Sequence, residues 1–125
     1  MSNNHEFVKN YSAGAAVAAN RIVKPGAADN EVIVGAAVSD ALIGVSTDIA
    51  ADSGERCDVI HAGIAPVKLG GTVARGDPIT SDGTGQGVAA APAAGTNNRI
   101  VGFALNSGVS GDIIPVLLAP SRVQG

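Results

Sequence analysis

Cys57 and His61 are the pair in this chain with the makings of a nucleophile and its base. Residues four apart on a strand share a face, but a Cys–His nucleophile or a zinc centre needs further His, Cys or carboxylate partners. The other histidine, His5, lies far upstream. A structural, half-buried cysteine accounts for the pair better. Asp48, Asp52, Glu55 and Asp58 gather carboxylates that could attract a cation. A calcium loop sets its oxygens at fixed offsets around a turn glycine, and the D-x-[DN]-x-[DN]-G pattern is missing, so a solvated turn is expected. Gly83-Thr84-Gly85-Gln86-Gly87 has the composition of a phosphate cradle. Such a cradle needs a following helix to aim its dipole, or a Gly-Lys-Ser/Thr motif, and the chain offers neither. Arg75-Gly76-Asp77 spells an integrin-binding tripeptide, but its plainer use is a turn, with Gly76 free to take positive φ before Pro78 opens a strand. No catalytic, cofactor-binding or metal-ligating residue is assigned, and no enzyme is expected.

The elements that would position any such group are short. The 125 residues suit one compact domain. They are 46% hydrophobic but only 2% aromatic, with two Phe, one Tyr, no Trp and 17 Gly. Aromatic rings supply the largest units of buried area. Without them each core position contributes little, so a lone copy should be thinly stabilised and partner subunits could supply the missing burial. The formal net charge is −3. The basic residues are scattered singly, so no stripe tracks a phosphate backbone and nucleic acid is not an expected partner. One cysteine excludes an intrachain disulfide and fits a reducing compartment. The start of the chain lacks the pattern of a signal peptide, and no apolar run reaches the ~20 residues of a membrane helix. Synthesis in the cytoplasm and no membrane partner are expected.

From Arg21 onward, β-branched runs alternate with turns. Arg21-Ile22-Val23-Lys24 stops at Pro25-Gly26, and Glu31-Val32-Ile33-Val34 follows Asp29-Asn30. Similar runs surround Val45, Val59, Val67, Ile79, Val88, Val101 and Val116. This spacing predicts an all-β fold, a small barrel or sandwich, with Pro66, Pro78 and Pro115 marking edges or bulges. Residues 1–20 read as an extended N-terminal arm and lead-in, and residues 21–125 as the β-rich domain. Ser12 to Asn20 could form a short helix by alanine propensity alone. Phe7, Val8 and Tyr11 hold two of the three aromatics, so they are candidates for contact with a neighbouring subunit or lattice; a frayed terminus is the alternative.

An echo runs through the chain. Ile43-Gly44-Val45-Ser46 parallels Val101-Gly102-Phe103-Ala104, and Ser53-Gly54-Glu55 parallels Ser110-Gly111-Asp112. Two pseudo-symmetric hairpin units would explain it, and so would chance in a chain rich in Gly, Val and Ala.

The stretch from Gly63 to Asp82, with Val73, Gly76 and Asp77 forming a valine, two residues and a Gly-Asp turn, resembles the phage head decoration, or capsid cement, proteins. The Gly44-Val45-Ser46 strand, Val101-Gly102-Phe103-Ala104 and the closing Val116-Leu117-Leu118 strand are similar to other segments of that family. The resemblance implies a β-barrel-like virion protein that trimerises on the capsid exterior, with the major capsid protein as its partner, and stiffens the shell. The competing readings are a tail or fibre component, a small ligand-binding barrel, and a bacterial scaffold or adhesion module.

Overall fold

A computed structural model describes residues 7–125. It contains ten strands and no helix among the described residues. The N-terminal lobe comprises β1 (Phe7–Ala13), β2 (Ile22–Pro25), β3 (Glu31–Val34), β4 (Gly44–Ser46) and β5 (Arg56–Ala62). They close into a barrel in the order β1-β3-β2-β4-β5. The C-terminal lobe comprises β6 (Ile64–Lys68), β7 (Pro78–Ser81), β8 (Gly87–Ala89), β9 (Asn97–Ala104) and β10 (Ile113–Gln124), in a sheet of order β6-β10-β9-β7-β8. One parallel bridge, Leu69 to Gly87, brings its two ends together. All-β architecture was expected from the alternation of short β-branched runs and turns, and it holds.

The echo in the sequence is a repeat in the fold. In the first lobe Val8 faces Ile60, Asn10 faces Asp58 and Ser12 faces Arg56. In the second, Ile64 faces Leu117, Pro66 faces Pro115 and Lys68 faces Ile113, in the same register. The Val17–Ala51 bridge has its counterpart in Val73–Gly108. Positive φ falls at matching turns: Asn20 and Gly76, Asn30 and Gly85, Gly54 and Gly111. Gly44 and Gly102 also correspond, because a Cβ on either would strike a backbone carbonyl oxygen, that of Ile60 or of Leu117. A shared set of strands, turns and close approaches rules out coincidence of composition.

Residues 1–6 of the expected arm lie outside the described residues. From Phe7 onward that segment is strand β1, antiparallel to β5 and parallel to β3 at Ser12 and Ala13. It reads as an arm because four of its seven side chains in succession are exposed, so it lacks the apolar alternation of a half-buried strand. Backbone pairing holds it instead. Beyond it, Ala13 and Val17 enter the core and no helix forms; alanine propensity over so short a run is too weak to nucleate one.

Two hydrophobic clusters result. Val23, Val32, Cys57 and Val59 fill the N-terminal barrel with Ala13, Val17 and Ala51. The larger cluster joins Val67, Leu69, Ile79, Val101, Ile114, Val116 and Leu118 of the C-terminal lobe to Ile22, Leu42, Val45 and Ile60 of the other. The lobes thus share a core. Backbone bonds stitch the same seam: Ile22 donates to Gly85 O (2.7 Å) and Lys68 to Asn20 O (3.0 Å). A Lys24–Asp40 ion pair of 3.0 Å ties β2 to the loop leading into β4.

Candidate docking surfaces

Among the described residues, Cys57, His61, Glu55, Asp58, Asp77 and Asp82 each serve a strand, a turn or a local pair. His61 Nδ1 lies 2.8 Å from the carbonyl oxygen of Ile43, and its Nε2 lies 2.6 Å from the Tyr11 hydroxyl. With Nδ1–H donating to the carbonyl, Nε2 is left to accept from Tyr11. The ring therefore clasps β1, β5 and the chain entering β4. Cys57 faces Tyr11 across β1 and β5 and is buried in the barrel core. Burial, helped by the neighbouring Asp58 charge, pushes its thiol pKa up, the opposite of what a nucleophile needs. The structural reading of Cys57 and His61 is the one the geometry matches.

The acidic residues disperse in the same way. Glu55 accepts from the backbone of Asp52 (2.8 Å) and Asp58 pairs with Arg56 (2.9 Å). No cluster of three or more potential metal ligands occurs among the described residues. In the glycine-rich loop Asp82 Oδ1 accepts from Thr84 N, Thr84 Oγ1 and Gln86 N. Those donors close the β7–β8 hairpin rather than facing a ligand. At Arg75-Gly76-Asp77, Gly76 takes φ of 92° and Asp77 Oδ2 accepts from Ala74 N (2.9 Å), which makes the tripeptide a turn.

What remains is surface. Phe7 is 66% exposed and Val8 is also exposed, at the start of β1. Tyr11 is half-buried, packed on the barrel core and bonded to His61, with the Lys9 ammonium 4.2 Å above its ring. The three candidate contact residues therefore divide: Phe7 and Val8 present free side chains, while Tyr11 shores up the barrel. An open polar groove beside them is lined by Lys9, Asn10, Tyr11, Ser12, Asn30 and Arg56. A second exposed apolar set, which residue types alone did not single out, lies on the C-terminal lobe: Phe103, Leu105, Ile113 and Leu117. Its signal was present in the alternation of β10, where Ile113, Pro115 and Leu117 face outward and Ile114, Val116 and Leu118 inward. All six are apolar, so hydropathy could not separate the two faces.

The two-lobed β fold engages its candidate reactive groups in strands and turns, and its outer strands carry exposed apolar side chains of the kind that mark contact surfaces. The phage cement protein family matches residues 2–118, and the chain belongs to that family. It is a structural component of a phage virion. Its fold is similar to that of the head fiber gp8.5 N base in bacteriophage phi29, at a TM-score of 0.70 and 18% identity, over 96% of this chain and 99% of that one. No curated protein matches the sequence.

Proposed function

We propose that this protein is a capsid decoration protein: it binds the outer surface of a phage capsid as an oligomer, a trimer, and stabilises the shell without catalysing a reaction. Family membership over residues 2–118 carries the reading. The exposed Phe7 and Val8 support it, since uncovered apolar side chains on an assembly protein mark contact sites. The major capsid protein is the partner, and Phe7 and Val8 are the residues that meet it or a neighbouring copy. Tyr11 acts through the barrel that presents them. Many weak contacts repeated by symmetry can exceed any single one by roughly 10²–10⁴, so no deep pocket is required.

The test is co-sedimentation of purified protein with capsids lacking it, followed by imaging of the particles. Regular knobs on the capsid faces and a raised shell-disruption temperature are expected. Phe7→Ser combined with Val8→Ser should weaken binding at least tenfold while the free protein's Tm stays within a few degrees, because these side chains bury little in the fold. Unchanged binding by that variant would remove them from the interface. The likeness to a head fiber base favours one other reading, a base from which a fibre projects. Density extending outward from the knobs in the same images would identify it.

A further inference from the structure

The hydrogen bonds of β1 fix which way its backbone faces. Ala13 donates to Glu55 O on the β5 side (2.8 Å), whereas Ser12 donates to Asn30 O on the β3 side (2.9 Å). Along a strand these directions alternate, so the N–H and C=O of Val8 and Asn10 also point away from β5. β3 does not reach them. It pairs with β1 at Ser12 and Ala13, and it starts from a turn whose last residue, Asn30, takes φ of 61°. Beside Val8 and Asn10 the strand edge is therefore unpaired among the described residues. It opens onto the groove lined by Lys9, Asn10, Tyr11, Ser12, Asn30 and Arg56.

The second lobe closes its equivalent edge. Lys68 donates to Asn20 O (3.0 Å), as Ser12 does to Asn30 O. Two residues earlier, where Asn10 faces Asp58 in the first lobe, Pro66 faces Pro115, and proline has no N–H to offer. Proline and lysine are common guards of exposed edges. In the first lobe the guard is Lys9. Its ammonium lies over the Tyr11 ring (4.2 Å) and donates to Asn30 Oδ1 (3.2 Å) and Asn10 O (3.4 Å). All three partners are uncharged. Hydrogen bonds between ionised partners are about twice as strong as neutral ones, so a carboxylate brought to the groove would draw Lys9 off the edge. Pro66 is a permanent block, whereas Lys9 can be displaced.

We propose that the β1 edge at Val8 and Asn10 takes an extended acidic segment of a partner protein as an added strand. The inference rests on the docking role proposed above and names the chemistry of the partner at β1. In this mode main-chain bonds supply the affinity and side chains along the strand supply the selection. Lys9 and Arg56 are the charged residues of the groove, and no carboxylate lines it. Asp58 already pairs with Arg56 (2.9 Å), so among the described residues Lys9 is the charge left to select an acidic side chain. The outward groups of two alternate residues suit a contact of roughly four residues. Phe7 and Val8 lie on the same strand, so the added segment continues the contact assigned to them.

Fluorescence anisotropy of a labelled Val-Glu-Val-Thr-Val-Glu peptide, titrated with the full-length protein, tests this. Saturable binding that weakens with salt is expected, and the same peptide with Lys in place of Glu should bind about tenfold more weakly. Asn10→Pro copies Pro66 and removes a donor that faces away from β5. It should lower the affinity about tenfold and keep the strand signature in circular dichroism. Lys9→Glu should reverse the preference between the two peptides. Should Asn10→Pro lose its fold, two peptides N-methylated at alternate sets of residues probe the same bonds with the protein unaltered: one should lose binding and the other keep it. No saturable binding, equal binding of the acidic and basic peptides, or a folded Asn10→Pro variant that binds as the wild type does would overturn the assignment. A peptide of residues 1–6 that displaces the acidic probe at lower concentration would overturn it too, by giving the edge to this chain itself. Peptide binding is read without capsids, so the edge assignment can fail while capsid binding persists, and hold while capsid binding fails.

Discussion

Cys57 shows how far a single side chain's surroundings decide its chemistry. Its thiol is desolvated among Val23, Val32 and Val59 and repelled by Asp58, so its pKa lies above the ordinary value of 9.0. An acid whose folded pKa is raised contributes stability that is whole below the unfolded value and is lost as pH rises through the folded one. The wild type should therefore lose Tm above about pH 9 more steeply than Cys57→Ala, as thermal scans from mildly to strongly alkaline pH would reveal. In the native state the thiol should resist alkylation at neutral pH and react at once in denaturant. Tyr11 gives a second check at this scale. Tyr11→Phe removes the hydroxyl that bonds His61 Nε2, leaves the ring packing in place, and should cost about 1 kcal/mol in urea titration. A larger loss would mean that the clasp holds β1 in place by itself.

At the scale of the element, the chain makes strands cohere with little side-chain area. β1 is held by its backbone ladder to β5 and β3 rather than by an apolar stripe. β4 and β9 approach their neighbours so closely that only glycine fits at Gly44 and Gly102. Gly102→Ala should push β9 away from β10 and cost about 1–3 kcal/mol or more, as overpacking does, with Gly44→Ala matching it because the obstacle is again a backbone carbonyl that cannot turn aside. Surface glycines such as Gly83, with open space around them, should tolerate alanine. The contrast between these variants in denaturant midpoint tests whether the two lobes obey the same packing rule.

The whole molecule is two copies of one design joined by a common core. Ile22, Leu42, Val45 and Ile60 belong to the first lobe by sequence and to the second lobe's cluster by packing. The second lobe's cluster is completed by first-lobe side chains, so unfolding should be a single transition. Exposure of Cys57 to a thiol reagent, which reports on the first barrel, and circular dichroism, which reports on both, should change at the same urea concentration. Separated midpoints would show that the seam is weaker than its burial implies.

Much of this molecule is legible in its residues. Short β-branched runs between Gly, Asn and Asp turns specify strands locally, so the all-β class, the turn at Gly76 and the structural roles of Cys57 and Asp77 follow from residue types and their spacing. The echo is visible as well, because turn chemistry recurs wherever positive φ recurs. Three things are decided only in three dimensions. Backbone pairing, which leaves no mark on hydropathy, draws Phe7–Ala13 into the barrel instead of an arm. Tyr11 is separated from Phe7 and Val8 by a contact with a residue fifty positions away. Ile60 and Val45 are buried against the neighbouring lobe, whereas Leu117 and Phe103, at the equivalent places in the second lobe, are exposed. Local preferences are written residue by residue, whereas burial is a property of what else occupies the space.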